Sequence, residues 1–446
     1  MLEDAKAPEI DPSVTIEDVF RIYEDHLHEP SRMGIEMCLI AALASVFDTD
    51  PIWMFLVAPP SSGKTAIISG FKYLSHPYDT MALFLSHITT HSLVSGMETK
   101  RGDPGIFAYL NGKKMAFFVK DFTTVVSMRD SDKEDIYAQF RDAYDGYTSK
   151  SFGNGVKREY NNLKFSMIAG VTELIYDESV NFQALGERFG KINIGRGNDP
   201  MFNRLAISKS ILTRDGFKEM EDKCAKTVYS CVKNLAKKAL EAEYKLPPIN
   251  EKLQNAIIGL SLYVSAMRGH VSRDKYKREY IKSAPYTETG IRFAKMLAAI
   301  AAVRAFMYGR EIATLDDLPL LRKIALDTVN QRDEEILRKI YILNNQKLAM
   351  PIKKVIQEES VYTPYTVRCV IEDLCMLKIL EKKNINRKYF YSLSTQMDEI
   401  VKEAKIYDDT SILLRENPKI HLKRSNAGEG RHSRLVIKKF KHIVGL

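Results

Sequence analysis

Lys64 and Thr65 follow a run of small residues, Ala58-Pro59-Pro60-Ser61-Ser62-Gly63, and precede Ala66, within the stretch IWMFLVAPPSSGKTAIISGF that spans Ile52 to Phe71. An ammonium and a hydroxyl placed after a glycine-bearing loop suit the binding of a nucleoside triphosphate. The backbone N–H groups of such a loop surround phosphate oxygens, Lys64 reaches the outer phosphates, and the Thr65 hydroxyl ligates magnesium. The spacing follows G-x-x-x-x-G-K-[ST] with Ala58 at the first glycine. That departure is tolerable where the residue needs no positive φ, and Gly63 keeps the close approach to phosphate. A surface turn beside a chance Gly-Lys-Thr is the alternative. The flanks favour the loop: an apolar run short enough for a buried strand precedes it, and Ile67, Ile68, Phe71 and Leu74 recur at helical spacing behind it.

Further chemistry-bearing residues stand where other apolar runs end. Met115 to Val119 reads as a buried strand running into Lys120-Asp121, and an acid at such a tip holds magnesium or polarises water. Asp121 is that candidate; a solvated strand-end acid is the other reading. Leu163 to Val171 is a similar run and ends in Thr172-Glu173, a polar tip suited to a γ-phosphate. Between them, Phe140 to Asn162 is polar, aromatic and glycine-containing, as for a helix running into a hairpin, with Lys150 near its middle.

These tips need a sheet to hold them. Residues 82–90 read as another strand, and KINIG follows Ala184 to Phe189 after a helix-length interval. Strands alternating with helices imply an α/β fold with a largely parallel sheet, whose ligands bind at its carboxyl edge. Two amphipathic helices, split by Glu29-Pro30-Ser31, precede the loop. From Arg214 the pattern is helical to about 337, a helical lid rather than more sheet. Residues 333–395 read as short helices and a basic hairpin, a winged helix-turn-helix. Thr363, Tyr365, Thr366 and Arg368 open its recognition helix, and Lys382, Lys383, Arg387 and Lys388 lie on the wing. Such a module binds DNA or docks protein. The expected units are a helical segment (1–50), a nucleotide-binding core (51–212), the lid (213–330), the winged helix (331–395) and a basic tail (396–446).

The chain of 446 residues is 45% hydrophobic and 28% charged, within the range of globular proteins of two or three domains. No apolar run approaches the roughly 20 residues needed to span a bilayer, and MLEDAKAPEIDP is not signal-like, so a cytoplasmic, nucleoid-associated protein is expected. Cys38, Cys224, Cys231, Cys369 and Cys375 form no C-x-x-C pair, which argues against a zinc site or disulfide framework. The formal charge is +9. From Lys419 onward eight basic residues face the single acid Glu429, a nucleic-acid contact or a solvated terminus.

Taken in order, these pieces resemble an AAA+ P-loop ATPase, and more narrowly the minichromosome-maintenance (MCM) helicases and their relatives on phages and other mobile elements, over about residues 30–395. APPSSGKT resembles the Walker A loop, and MAFFVKDFTT the Walker B strand in a K-D-F-T form. Lys120 falls where most of the superfamily has the magnesium-binding Asp, so Asp121 covers one or both acidic roles. YDGYTSKSFGNG is similar to the channel hairpin, with Lys150 matching its DNA-contacting lysine. Thr172 falls at the sensor position that orients the attacking water. LGERF resembles the arginine-finger motif, making Arg188 the finger, and TETGIRFAKMLAAIAAVRAFMYGREIATLDDL tracks the sensor helix and places Arg292 on the γ-phosphate.

The resemblance implies ATP and Mg²⁺ as cofactors, a finger acting in trans in a homo-oligomeric ring, most simply a hexamer, and single-stranded or forked DNA as partner. The implied function is an ATP-dependent helicase or translocase for replication of a mobile element. The alternatives are an origin-binding initiator or helicase loader, which does not need Lys150, and a signalling or defence ATPase whose winged helix docks protein. MCM proteins carry a large N-terminal DNA-encircling domain that is not expected here. Processive unwinding then calls on a replication partner protein or runs through the hairpins alone.

Overall fold

The structure is a computed structural model, and it describes residues 6–97, 105–176, 188–195, 199–273, 280–345, 361–385 and 387–408. Residues up to Ile406 make one compact unit; of the second, beginning at Tyr407, only 407 and 408 are described. The expected basic run from Lys419 onward lies outside the described residues.

Two helices come first, α1 (Ile16–His26) and α2 (Arg32–Ala44). A capping box between Thr15 and Asp18 starts α1, satisfying N–H groups that a helix start leaves open. Ser31 caps α2, whose sequence from Gly34 to Ala44 is wholly buried. A helix apolar on all sides has to be covered all round, and α2 packs against β3 and β6 of the sheet.

β1 (Trp53–Val57) is buried at every position, as a central parallel strand must be. The helix α3 (Lys64–Ser69) follows it, then β2 (Ala82–Leu85), α4 (Ile106–Leu110) and β3 (Lys114–Val119). Next come α5 (Thr123–Val126), α6 (Asp130–Tyr144), a hairpin of β4 (Thr148–Ser151) and β5 (Lys157–Tyr160), β6 (Lys164–Val171) and β7 (Gly190–Asn193). Five strands pair in the order β2-β3-β6-β1-β7, every pair parallel. The expected α/β class with a parallel sheet flanked by helices is what the chain adopts. β2 is shorter than the run 82–90: the ladder ends where Asp121 N–H donates to Ser86 O at 3.0 Å.

One layer of the core is aromatic, with Trp53, Phe55, Phe107, Phe117, Phe122, Phe140, Phe165 and Phe189 packed together. Trp53 stacks on Phe165 and donates from its indole N–H to the Phe165 carbonyl at 2.8 Å. Each such side chain contributes about 1.5–3 kcal/mol on burial.

Helices make up most of the rest: α7 (Pro200–Leu212), α8 (Phe217–Glu241), α9 (Glu251–Met267), α10 (Ile291–Met307), α11 (Leu318–Thr328) and α12 (Gln331–Asn345). α8 lies on α1, and α11 lies on β7 and α9. Asp317 is fully buried and joins these parts, accepting from Arg304 at 2.7 Å and from Arg310 at 2.5 and 2.8 Å, while Arg304 also reaches Glu36 of α2 at 2.9 Å. After 346–360, which lie outside the described residues and include the expected MPIKKVIQEES element, come α13 (Pro364–Met376), an antiparallel hairpin of β8 (Leu380–Ile385) and β9 (Lys388–Leu393), and α14 (Thr395–Glu403). α14 occupies the start of the region expected as basic tail and buries Met397, Ile400 and Val401.

Candidate functional site

The loop 58–63 leaves the sheet at the carboxyl end of β1, between β6 and β7. Ala58 is buried and still on the ladder, its N–H donating to Val171 O at 3.2 Å. Ser61 and Gly63 take positive φ, +63° and +84°, the second at no steric cost because glycine lacks Cβ. These two reversals bend the loop back over its own start. Lys64 Nζ donates to the carbonyls of Ala58 at 2.5 Å and Pro59 at 2.7 Å, and Ser62 Oγ donates to Pro59 O at 2.7 Å. Pro60, Ser61, Ser62 and Thr65 are exposed, and Ala66 is half-buried. The lysine thus closes the loop on itself, with carbonyls standing where phosphate oxygens would compete.

Burial pushes the Lys64 ammonium below its ordinary pKa, and the carboxylates of Glu173 and then Asp121 act in the opposite sense. Two acids therefore face the lysine across the sheet edge. Asp121 is exposed, and its Oδ1 accepts from Thr123 N–H at 2.8 Å. Lys120 turns aside, its ammonium 5.1 Å from the Phe84 ring centre. Close approach brings β3's tip to β6: Phe122 N–H donates to Gly170 O at 2.7 Å, and a Cβ on Gly170 would stand 2.6 Å from the Lys120 carbonyl. Thr172 N–H donates to Thr123 Oγ1 at 3.2 Å, whereas the buried Thr172 hydroxyl has no partner. An orphaned hydroxyl costs about 1–3 kcal/mol unless something meets it.

A triphosphate fits this donor set: loop N–H groups, one ammonium and one unspent hydroxyl. Among the described residues no group of three or more His, Cys, Asp and Glu could hold a metal. Thr65 and Asp121 could offer two ligands, a set that suits magnesium carried largely on phosphate oxygens rather than in a protein cage.

Arg188 and Arg292 are not part of this cluster. They share Asp145 instead, at the amino edge of the sheet. Arg188 precedes β7, and its Nη2 donates to Asp145 Oδ2 at 2.7 Å, with its guanidinium 5.7 Å from the Tyr144 ring. Arg292, in the first turn of α10, approaches Asp145 Oδ1 at 3.5 Å, and Lys295 reaches Asp50 at 3.5 Å. Arg188 is 5% exposed, and the Arg292 side chain is 47% exposed. The expected position of Arg292 over its own loop is therefore not the one it takes, because α10 begins beside Asp50 and Asp145. The five residues of β1 separate the two edges by about 16 Å. The Leu185, Gly186 and Glu187 portion of the LGERF motif lies outside the described residues.

Three of the residues expected to touch DNA, Lys150, Thr366 and Arg368, have partners within the chain. Lys150 pairs with Asp135 at 2.8 Å, and its register partner on the hairpin is Arg158, which donates to Ser95 O at 3.3 Å and Met97 O at 3.0 Å. Thr366 shares its hydroxyl with the capping Thr363 at 2.9 Å, and Arg368 pairs with Glu372 at 2.8 Å. Arg387 is exposed at a positive φ of +63° in the turn of the β8–β9 hairpin. The Lys388 side chain lies outside the described residues. Lys382 stands 3.8 Å from the Tyr389 ring centre, leaving a basic and aromatic face on the hairpin.

The sequence pointed to Glu173 only as part of the Thr172-Glu173 tip, without a role of its own, and did not point to Asp145. The first had a signal, since it follows Thr172 at the same strand end; the second is one of several acids around the hairpin. No helix among the described residues is long and apolar enough to cross a membrane. No protein-family model matches the chain, and no curated protein matches it.

Proposed function

We propose that this protein is an AAA+ type ATPase related to the MCM-like helicases of mobile elements, working as a ring of identical subunits, most simply six, that moves on DNA. The observation that carries the reading is the separation of Lys64, with Asp121 and Thr172, from the Arg188–Arg292 pair across the parallel sheet. A phosphate site at one edge and paired guanidiniums at the other make a complete hydrolytic centre only when two subunits meet.

In this reading Lys64 leaves the Ala58 and Pro59 carbonyls to bind the outer phosphates, and the Thr172 hydroxyl orients the attacking water. Magnesium, held by Thr65 and Asp121, would neutralise charge on the phosphate oxygens. Arg188 swings from Asp145 toward the neighbour's γ-phosphate, and Arg292, already half exposed, joins it. The Lys382–Tyr389 face and Arg387 offer the cation and ring that single strands or duplex backbones bind.

The test is phosphate release with and without single-stranded and forked DNA, in wild type and Lys64→Ala. Lys64-dependent turnover that DNA stimulates, with strand displacement, is expected. Turnover retained in Lys64→Ala would end the reading. A second reading, an initiator or helicase loader, is favoured by one observation: Lys150 is tied to Asp135 rather than projecting. ATP turnover without strand displacement, unchanged in Lys150→Ala, would select it.

A further inference from the structure

Three carboxyl-edge elements converge beside the phosphate loop. Val57 and Val171 are register partners on β1 and β6, so Thr172 and Glu173 leave the sheet alongside Ala58 and Pro59, the residues whose carbonyls Lys64 holds. The tip of β3 is drawn to the same place by the Phe122 N–H bond to Gly170 O at 2.7 Å and by the Thr172 N–H bond to Thr123 Oγ1 at 3.2 Å. Lys64, Asp121, Thr172 and Glu173 therefore surround one small volume.

Hydrolysis of a triphosphate asks two things of carboxylates here. One must help hold the metal, and one must take a proton from water. A single carboxylate does both badly, since a bound dication favours its ionised form and makes it a weak proton acceptor. β3 supplies only one acid, because Lys120 occupies the neighbouring position and lies over Phe84. Asp121 also has Oδ1 committed to Thr123 N–H. Glu173 is half-buried and makes no side-chain hydrogen bond or ion pair among the described residues. It follows directly on Thr172, whose buried hydroxyl is equally unspent.

We propose that Glu173 is the proton acceptor of this site, a catalytic residue that leaves Asp121 to the metal. The inference rests on the triphosphate reading above. The water oxygen bonds to the γ-phosphorus while one water proton passes to the Glu173 carboxylate. The bond from that phosphorus to the bridging oxygen breaks, and its electron pair leaves with ADP. The Thr172 hydroxyl holds the water between them, and Glu173 returns its proton to solvent before the next cycle.

The test uses the full chain, with steady-state phosphate release and binding of the fluorescent nucleotide mant-ADP. Glu173→Gln keeps the shape of the side chain and removes its basicity. Turnover is expected to fall about 10²-fold or more, with mant-ADP affinity within about threefold of wild type. Turnover within about threefold of wild type overturns the proposal, as does a loss of turnover matched by an equal loss of affinity. Asp121→Asn in parallel settles which acid is the acceptor: the kcat defect with intact mant-ADP binding appearing there, and not in Glu173→Gln, also overturns it. Wild-type turnover that Lys64→Ala does not lower sinks the triphosphate reading itself. Lys64-dependent turnover indifferent to Glu173→Gln sinks this inference alone.

Discussion

Thr172 distinguishes a working residue from a structural one. Its hydroxyl is buried without a partner, so Thr172→Val removes a polar group that the fold does not satisfy while keeping the branched shape. The melting temperature of the variant is expected to equal or exceed that of wild type, because an unpaired buried hydroxyl opposes folding. ATP turnover is expected to fall about 10²-fold through loss of one donor to the reacting oxygens. A drop in melting temperature with unchanged turnover would make Thr172 an ordinary core residue. At this scale the sequence was informative where a residue's role follows from its own neighbours. Lys64 and Thr65 sit at fixed offsets from Gly63, and Asp121 and Thr172 end apolar runs. It was silent where a role depends on a carboxylate far along the chain, as Asp145 is from Arg188 and Arg292.

Among the elements, the turn that opens α11 holds the helical region to α2. Burial alone would raise the pKa of Asp317, but hydrogen bonds from Arg310 and Arg304 outweigh it and hold the carboxyl below its usual 3.8. The folded value thus lies below the unfolded one. The stability this group contributes is present above its unfolded pKa and is lost as pH falls through the lower folded value. Asp317→Ala leaves two guanidiniums facing a gap and is expected to cost about 3–5 kcal/mol in urea denaturation near neutral pH. The difference between variant and wild type should shrink as pH falls below 3.8; a constant difference would place the cost in packing rather than charge. Strands and long helices were legible from their periods, because burial on both faces of β1, β3 and β6 produces unbroken apolar runs. The order in which strands lie side by side was not, since register with a distant strand leaves no local period. Nor did the sequence reveal that α14 continues past 395, where Met397, Ile400 and Val401 mark an apolar stripe.

For the whole molecule, the distance between Lys64 and Arg188 makes a prediction that neither residue makes alone. Arg188→Ala and Lys64→Ala subunits are each expected to be inactive, with turnover lower by about 10³-fold or more for the finger. Mixed together they should regain part of the activity, because an intact loop from one meets an intact arginine from the other. Mixtures as inactive as the separate variants would show that each subunit keeps both halves to itself. The α7 helix adds a second feature of assembly scale: it has no buried residue and leaves Met201, Leu205, Ile207, Ile211 and Leu212 exposed. The helical pattern read from the sequence began only at Arg214, and periodicity cannot say whether a helix such as this one is covered by its own chain.

Trp53 gives the molecule a built-in optical probe. It is the single tryptophan of the chain, and it lies 5.0 Å from the rings of both Tyr144 and Phe189, the residues that flank Asp145 and Arg188. Tryptophan emission from the unlabelled protein therefore reports on the aromatic core at the arginine edge of the sheet. Nucleotide entering at Lys64 should leave the spectrum nearly unchanged, whereas a neighbour drawing Arg188 away from Asp145 should shift it, so assembly can be timed separately from nucleotide binding.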